Sequence, residues 1–363
     1  MNRIIFGGAF DPVHNGHINM ALKAQKALDG EVIFVPARIS VWKNSSAPTS
    51  DKIAMLELAI KDKPGLSIDK FEIDSGKDIN YSIDTVKYFK TKYPNDKLFY
   101  LIGNDQVNEF HHWKDADELS KLVQIVFYTR PNYKLNKENI QRFKMQEISG
   151  DGIDVSSTDI RALKSFELPD EVLLYIAEHD LYEGMAEINK IETEHRINHS
   201  KSVARLAYQI AKKNKIEKPI RAFVAGLLHD IGKDIPLEKQ IELTKKHLPE
   251  YSDSPKFAYH QFAGSILAES MFGIIDQEVL DAIKFHSTGS GNMGKIAKIV
   301  YASDKIEPTR GFDSANLINA MMEDVDQGFV TVLQANKEFL ESQGKTITNT
   351  LTYNCIQKYL NNK

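Results

Sequence analysis

The spacing of apolar residues changes character about halfway along the chain. In the first half, short apolar runs typical of buried strands occur at residues 4–6, 31–35, 98–102 and 124–128. Between them, apolar residues recur at helical spacing at residues 15–28, 50–61, 82–92 and 116–122. Strands that alternate with helices in this way predict a doubly wound α/β domain, in which helices cover both faces of a parallel sheet.

The second half is predicted to be all-α, because strand-like runs are missing and apolar residues recur at helical spacing to the end. One amphipathic helix is predicted from His195 to Lys213. Before it, a helical pattern from Leu168 to Tyr182 meets Glu183-Gly184-Met185, a sequence typical of a helix stop.

These patterns predict two domains, the first over residues 1–185 and the second over residues 190–363, with the boundary near residues 184–192. A chain of 363 residues is also longer than most single hydrophobic cores support. Residues 313–363 continue as helices without a recognisable motif, and we expect them to contribute packing.

Composition narrows the class of protein. Hydrophobic residues make up 42% of the chain and charged residues 26%, values typical of soluble globular proteins. The net charge of −4 argues against nucleic acid as the main partner. The one cysteine, Cys355, excludes an intrachain disulfide and a zinc site made of cysteines. The chain begins with a strand rather than a leader, and no run reaches the roughly 20 apolar residues of a membrane span. We therefore expect a cytoplasmic protein without a membrane partner, and the sequence is compatible with a homo-oligomer.

The first strand leads into a candidate phosphate site. Gly7 and Gly8 allow backbone N–H groups to approach a ligand closely, because no Cβ stands in the way. The predicted helix that follows offers unpaired N–H groups and the positive end of its dipole. His14 and His17 add two side-chain donors on one side of its first turn.

Other polar residues follow later strands of the first half. Two polar sites, Gly103-Asn104-Asp105 and Arg130, come after strand-like runs, where ligands bind in doubly wound folds. A turn that caps the next helix also explains Gly103-Asn104-Asp105. Trp113 lies in a polar stretch, which indicates either stacking on a flat ligand ring or core packing. Ser156-Ser157-Thr158 reads as a helix cap, with Arg161 one turn later.

These first-half motifs resemble those of the HxGH nucleotidyltransferases, and the fuller set resembles their nicotinate mononucleotide adenylyltransferase branch. The resemblance covers about residues 1–183 and rests on Gly7-Gly8-Ala9-Phe10-Asp11-Pro12, His14, His17, Tyr81-Ser82-Ile83-Asp84-Thr85, Gly103-Asn104-Asp105, Trp113 and Ser156-Ser157-Thr158-Asp159-Ile160-Arg161. It implies a Rossmann-like fold and transfer of AMP from ATP, bound with magnesium, to nicotinate mononucleotide. Phosphopantetheine, the acceptor of a shorter sister family, is the competing acceptor, and Trp113 and the segment 81–85 favour the pyridine nucleotide.

The resemblance also implies roles for individual residues. His14 and His17 would act at the transferring phosphate. The residues expected to hold the phosphates of ATP with them are Ser156, Ser157, Thr158 and Arg161. Asp105 would lie near the ribose, and Thr85 and Trp113 would frame the nicotinate ring. Further substrate contacts are expected from Gly7, Gly8, Phe10, Gly103, Arg130 and Lys43. Lys43 follows Ser40-Val41-Trp42, whereas this loop in the family usually carries proline and histidine.

The second half carries a set of histidines and aspartates in apolar helical settings. They are His195, His199, His229, Asp230, His260, His286 and Asp304. His229 and Asp230 are adjacent at the end of an apolar helix, so their side chains point in different directions and can serve two metals. Imidazole and carboxylate without thiolate suit iron, manganese or zinc.

This set resembles the HD-domain metal-dependent phosphohydrolases over about residues 195–312, and within them the branch of symmetrical bis(5′-nucleosyl)-tetraphosphatases. The resemblance rests on His195-Arg196-Ile197-Asn198-His199, Leu228-His229-Asp230-Ile231-Gly232-Lys233, His260, His286-Ser287-Thr288-Gly289 and Asp304-Lys305-Ile306-Glu307-Pro308-Thr309-Arg310. It implies a dinuclear metal site, with iron as the first expectation and manganese or zinc as alternatives. The implied ligands are His199, His229, Asp230 as the bridge, His260, His286 and Asp304.

The implied reaction is hydrolysis of diadenosine tetraphosphate, a dinucleoside polyphosphate, to ADP. Lys233 and Arg310 would neutralise the polyphosphate, whereas His195 is expected beside the metals or the substrate and not as a ligand. Two alternatives stay open for this domain: hydrolysis of another nucleotide phosphate, or nucleotide binding for regulation without turnover.

Overall fold

The computed structural model describes residues 1–38, 47–77, 79–129 and 134–361. The predicted site residues Lys43 and Arg130 lie outside these ranges. The chain divides into two compact units, Met1–Tyr182 and Glu183–Lys363. None of the described helices is long and apolar enough to cross a membrane.

The first unit is a six-stranded parallel sheet in the order β3-β2-β1-β4-β5-β6. Its strands are β1 (Asn2–Gly8), β2 (Gly30–Pro36), β3 (Leu66–Ile68), β4 (Lys97–Gly103), β5 (Gln124–Tyr128) and β6 (Gln146–Ile148). Its helices are α1 (Asn15–Leu28), α2 (Thr49–Ile60), α3 (Phe71–Asp74), α4 (Ser82–Lys92), α5 (Asn104–Glu109), α6 (Ala116–Leu122), α7 (Lys137–Arg142), α8 (Ser157–Arg161) and α9 (Asp170–Glu178). The prediction of a doubly wound parallel sheet is confirmed.

Two strands were missing from the sequence prediction. β3 and β6 each contain three residues and lie at the two edges of the sheet. A run of three residues is too short to show the alternation or the apolar stretch by which strands are recognised. The four predicted strands are the central ones, where burial on both faces makes the sequence continuously apolar.

The predicted helix stop at Glu183-Gly184-Met185 is wrong. The preceding helix, α9, already ends at Glu178, and the left-handed residue behind it is Asp180, with a φ of 50°. The N–H of Leu181 donates to the carbonyl of Ile176 at 3.0 Å, as in a Schellman motif. Aspartate tolerates the left-handed region better than most residues, so this stop does not require glycine. Gly184 is buried inside the next helix.

The order of the strands reverses direction at β1, which pairs with β2 on one side and with β4 on the other. In doubly wound sheets, such a reversal leaves a crevice beyond the carboxyl ends of the two strands. Gly7 and Gly8 end β1, and Gly103 ends β4. The fold therefore places the first candidate site at this edge of the sheet.

The second unit is helical, as predicted. Its helices are α10 (Tyr182–Ile191, which begins at the boundary), α11 (Glu194–Lys213), α12 (Ile220–Leu228), α13 (Leu237–His247), α14 (Tyr259–Phe272), α15 (Gln277–Phe285), α16 (Lys295–Ile306), α17 (Ala315–Glu323), α18 (Val325–Ser342) and α19 (Thr350–Ile356). The most central is α12, which is buried from Ala222 to Leu228 and packs against α11, α15 and α16. His229 and Asp230 follow it directly, so they enter the interior of the bundle.

Gly232 allows the turn after α12 to approach the start of α14. A Cβ added at Gly232 would lie 2.3 Å from the carbonyl oxygen of His260 and 2.7 Å from the backbone nitrogen of Gly264. Both atoms belong to the backbone and cannot move aside cheaply. We expect Gly232→Ala to lower the free energy of unfolding of this unit by about 1–3 kcal/mol, the usual cost of overpacking.

Chemical denaturation of the full chain measures this effect. Gly294→Ala is the matched control, because its added Cβ would meet only Glu278 Oε1, at 3.9 Å. Equal stability of the two variants would contradict the close packing at Gly232.

Candidate active sites

A cavity of about 560 Å³ lies at the carboxyl ends of β1 and β4. The predicted site residues that line it are Gly7, Gly8, His14, His17, Gly103, Asp105, Trp113, Ser156 and Ser157. Its described lining contains no lysine or arginine. Phosphate groups in this cavity would therefore meet backbone amides, imidazoles and hydroxyls.

His14 and His17 cap the N-terminus of α1 reciprocally. The Nδ1 of each ring accepts a hydrogen bond from the backbone N–H of the other residue, both at 3.3 Å. The rings stack with their centroids 3.6 Å apart. Because each Nδ1 is an acceptor, the proton of each neutral ring is on Nε2. Two imidazole N–H donors and the positive end of a 14-residue helix therefore share one wall of the cavity.

Ser156 and Ser157 line the same cavity at the start of α8. The hydroxyl of Ser156 accepts from the N–H of Asp159 at 3.1 Å, which is the predicted cap. The hydroxyl of Ser157 donates to the carbonyl of Pro12 at 3.1 Å. Ser157 thus joins α8 to the loop between β1 and α1, whereas Ser156 caps α8 itself.

Arg161 and Thr158 are not in the described lining of this cavity, and their expected contact with phosphates stays a prediction. Arg161 is buried, and its Nη1 donates to the carbonyl of Asp11 at 2.9 Å. Its Nη2 donates to the hydroxyl of Thr158 at 3.2 Å. Both residues therefore support the turn that precedes His14.

Phe10 also lies behind the cavity wall. It is buried with a φ of 45°, and its ring packs edge-on against His17 with centroids 5.1 Å apart. The rings of Phe6 and Phe34 pack against the Phe10 ring, with centroid distances of 5.3 and 5.2 Å. Phe10 therefore positions His17 instead of forming part of the described lining.

Trp113 combines the two interpretations left open by the sequence. Its ring packs on Phe110, with centroids 4.9 Å apart, and edge-on against Tyr100 at 6.0 Å, so it joins the core of the sheet. It also lines the cavity.

Thr85 does not reach the described lining, contrary to expectation, because it is fully buried. Its hydroxyl donates to Glu72 Oε1 at 2.6 Å, and burial raises the pKa of Glu72. Glu72 does line the cavity, and sequence reasoning missed it. Thr85 therefore acts on this cavity through Glu72.

The second unit brings all the predicted metal ligands together. Three overlapping groups, in each of which the ligand atoms lie within 4.8 Å of one another, contain His199, His229, Asp230, His260, His286 and Asp304. Asp230 Oδ1 lies 3.5 Å from His260 Nε2 and 3.3 Å from His286 Nε2. Its Oδ2 lies 3.8 Å from His229 Nε2. The carboxylate of Asp230 therefore stands between the groups, as a bridging ligand must.

Neighbouring groups orient these histidines so that Nε2 faces the cluster. His229 Nδ1 and His286 Nδ1 donate to the carbonyls of Gly226 and Ile283, at 2.7 and 2.8 Å. His199 Nδ1 lies 2.9 Å from Glu307 Oε1. His229 Nε2 and Asp230 Oδ1 are buried and have no hydrogen-bond partner among the residues that the structure describes. Two orphaned ligand atoms in a set of imidazoles and carboxylates fit a pair of divalent ions.

The electrostatics of the cluster favour the metal-binding forms of Asp230, Asp304, His260 and His286. Burial lowers the pKa of His229, but Asp230 and Asp304 raise it by more, so metal would have to displace a proton there. Burial raises the pKa of the Asp230 carboxyl group, but His229, His286 and Lys233 lower it by more. The pKa of Asp230 therefore lies well below the ordinary value. The pKa of Asp304 is also well below the ordinary value, because Lys305 and His199 lower it by more than burial raises it. Burial lowers the pKa of His260 to about 2. Ionised aspartate and neutral histidine are the forms that ligate metals.

Four basic residues contact the aspartates of the cluster, and one of them, Lys305, donates to Asp304 Oδ2 at 2.8 Å. Lys233 Nζ lies 3.5 Å from Asp230 Oδ1, and the guanidinium of Arg310 donates to the carboxylate of Asp304. Arg196, which sequence reasoning did not single out, lies 2.5 Å from Asp230 Oδ2. It precedes His199 by three residues on α11, a spacing that places both on one face. His195 is exposed and belongs to none of the three ligand groups formed by the described residues.

A cavity of about 380 Å³ opens beside the cluster, at Asp304, Lys233 and Arg310. More than half of its lining comes from the C-terminal part of the chain: Asn336, Leu340, Lys345, Thr346, Ile347, Thr348, Asn349 and Thr352. Part of the segment 313–363 therefore lines a cavity, in addition to the packing role expected from the sequence. Sequence reasoning missed these residues because they form no motif.

Glu307 is a positioning residue for His199. Its carboxylate is buried and accepts from Ser202 Oγ at 2.8 Å and from Thr309 Oγ1 at 2.7 Å, which leaves little freedom to the contact with His199. We expect Glu307→Gln to weaken metal binding about 10- to 100-fold, the usual effect of losing such a carboxylate partner.

Titration of the metal-depleted protein with manganese measures this affinity. Glu278→Gln, which alters an exposed carboxylate paired with Arg221, is the control. Unchanged affinity in Glu307→Gln would contradict the positioning role.

Comparisons with known proteins agree with the two units. The cytidylyltransferase-like family matches residues 5–163, and the HD domain family matches residues 196–309. A relative from Mycoplasma genitalium, named probable nicotinate-nucleotide adenylyltransferase/Ap4A hydrolase, is 31% identical over 342 residues, which cover 91% of this chain and 96% of the relative.

Other similar proteins cover one unit each. A probable nicotinate-nucleotide adenylyltransferase from Clostridium botulinum is 34% identical over 203 residues, which span 50% of this chain and 99% of the relative. A crystal structure of a predicted HD superfamily hydrolase involved in NAD metabolism, from Clostridium acetobutylicum, is 32% identical with a TM-score of 0.45, and it covers 49% of this chain and 95% of that chain.

Proposed function

Because the chain belongs to the family of two-domain nicotinate-nucleotide adenylyltransferase/Ap4A hydrolases, we propose that it carries out both reactions. The first unit transfers AMP from ATP to nicotinate mononucleotide, giving nicotinate adenine dinucleotide and pyrophosphate. The second hydrolyses diadenosine tetraphosphate to two ADP. The observation that supports this proposal most strongly is that each unit has its own cavity, lined by residues of its own motif.

In the first unit, the proposed reaction is an in-line displacement without a protein nucleophile. The phosphate of the acceptor attacks the α-phosphorus of ATP, and the bond to pyrophosphate breaks. The imidazole N–H groups of His14 and His17 and the hydroxyls of Ser156 and Ser157 would bind the phosphate oxygens on which charge develops. The described lining contains no basic side chain, so magnesium bound with ATP would supply the missing positive charge.

The other side of the first cavity would bind the acceptor. Trp113 offers an aromatic face against which a pyridine ring can stack, and its contact with Phe110 holds that face in place. Asp105 would approach a ribose hydroxyl, and Gly7, Gly8 and Gly103 keep the backbone accessible. This arrangement favours a flat nucleotide ring over the flexible chain of phosphopantetheine.

In the second unit, His199, His229, Asp230, His260, His286 and Asp304 would hold two divalent ions, with Asp230 between them. Bound ions supply Lewis-acid stabilisation of phosphoryl oxygens and lower the pKa of the attacking water. We propose iron, with manganese or zinc as substitutes, because no thiolate contributes to the cluster. Lys233 and Arg310 would neutralise the polyphosphate at the open side of the cavity.

A product assay with diadenosine tetraphosphate, with and without added iron or manganese, tests the second reaction. We expect two equivalents of ADP, because water adds to an inner phosphorus and the central phosphoanhydride bond breaks. AMP with ATP would indicate asymmetric cleavage instead. Binding without turnover under any metal would favour the regulatory alternative, and turnover of another nucleotide phosphate would change the substrate. Formation of nicotinate adenine dinucleotide from ATP tests the first reaction in the same preparation.

A further inference from the structure

The cavity beside the metal cluster is completed by a segment that lies outside the HD-domain match. The match ends at residue 309, whereas the end of α18, the following loop and the start of α19 form much of the cavity wall. The metal-binding core therefore supplies one side of this cavity, and residues 336–352 supply the other. A wall contributed by a different part of the chain can select a substrate that the core alone does not select.

Lys345 differs from the other basic residues of this cavity. Lys305 donates to Asp304 Oδ2 at 2.8 Å, and Arg310 contacts the same aspartate. Lys233 stands 3.5 Å from Asp230. Lys345 is exposed and forms no ion pair with any residue that the structure describes. Its charge is therefore available to a phosphate of the substrate that extends beyond the cluster.

Phe257 supplies an aromatic face in the same cavity. It is 58% exposed, although it is a large hydrophobic residue, and it makes no ring contact with another described side chain. Phe257 precedes the metal ligand His260 by three residues, so a change at Phe257 can also disturb that ligand. Leu340 and Ile347 are the other apolar members of the lining.

We propose that Phe257 and the segment 345–349 form the nucleoside subsite of the hydrolase, an inference that rests on the function proposed above. The base of one nucleotide half stacks on Phe257 beside Leu340 and Ile347. Lys345 binds a phosphate of that half. The hydroxyls of Thr346 and Thr348 lie in the same wall, where they can bind the ribose. Because stacking does not depend on the pattern of ring substituents, this subsite selects a nucleotide rather than one particular base.

Two ligands separate the base from the phosphates in a test of this subsite. ADP contains both, whereas inorganic tripolyphosphate contains phosphates alone. The dissociation constant of each is measured by calorimetry on the full-length, manganese-loaded protein, and the metal content of every variant is measured in parallel. The variants are Phe257→Ala, Phe257→Tyr and Lys345→Ala, with Phe339→Ala and Lys246→Ala as exposed controls outside the described lining.

We expect Phe257→Ala to weaken ADP binding on the order of tenfold while tripolyphosphate binding and metal content stay unchanged, because one stacked base is lost. Phe257→Tyr should restore ADP binding. Lys345→Ala should weaken both ligands on the order of tenfold, as expected for a charged hydrogen bond. Neither control should change either constant.

Equal weakening of both ligands in Phe257→Ala, or loss of metal, would show that Phe257 acts by supporting His260 and would overturn the proposal. The proposed function is tested separately, because failure to hydrolyse diadenosine tetraphosphate leaves these binding constants measurable.

Discussion

Replacement of Asp230 by alanine is expected to abolish hydrolysis of diadenosine tetraphosphate and to strip metal from the protein, while adenylyl transfer continues. Asp230 belongs to two of the three ligand groups, and its carboxylate lies within 3.8 Å of imidazoles in both. Lewis-acid stabilisation by bound metal is worth several kcal/mol, so its loss should lower the hydrolytic kcat by at least about 1,000-fold.

Two further variants distinguish loss of a ligand from loss of the fold. Asp230→Asn keeps the shape of the side chain and should also lose metal, as measured by elemental analysis. Asp253→Ala removes an exposed carboxylate of the same unit and should change nothing. An Asp230→Ala protein that retained both metal and turnover would refute the assignment of this site.

His17→Ala is expected to lower the kcat of adenylyl transfer by about 100- to 1,000-fold, the usual effect of removing one preorganised donor to developing charge. The hydrolytic activity of the second unit should stay at its wild-type value. The imidazole of His17 stacks on His14 and accepts from its backbone N–H, so the variant removes both a donor and part of the reciprocal cap.

Product formation from ATP and nicotinate mononucleotide measures this effect, and circular dichroism reports whether α1 persists. His179→Ala is the matched control, because His179 is exposed and stacks on Tyr175 away from the described lining of the first cavity. Transfer at the wild-type rate in His17→Ala would rule out a role of this histidine at the transferring phosphate.

Several local elements of the first unit could be predicted from the sequence. The helices α1, α4 and α6 and the strand β5 have the predicted bounds, because the apolar spacing within each segment determines which regular structure can bury it. The short strands β3 and β6 escaped prediction for the same reason, since three residues show no pattern.

Among the candidate site residues, sequence separation decided which ones could be predicted to act together. Motif residues that are close in sequence could be assigned together. His14 and His17 lie three residues apart, so one helix turn places them side by side, whereas His229 and Asp230 are adjacent and so reach the same part of the fold. Residues that contact these motifs from distant parts of the chain could not be assigned from the sequence. Glu307 lies 108 residues after His199, and Arg161 lies 150 residues after Asp11.

The sequence by itself therefore determined the two fold classes, the central strands, several helices and the chemistry of the metal ligands, since these follow from residue type and local spacing. The tertiary structure alone decided that Arg161 supports a turn, that Thr85 acts through Glu72, and that residues 336–352 line the cavity beside the metal cluster. Contacts between distant segments depend on how complementary surfaces pack, and no local pattern records that packing.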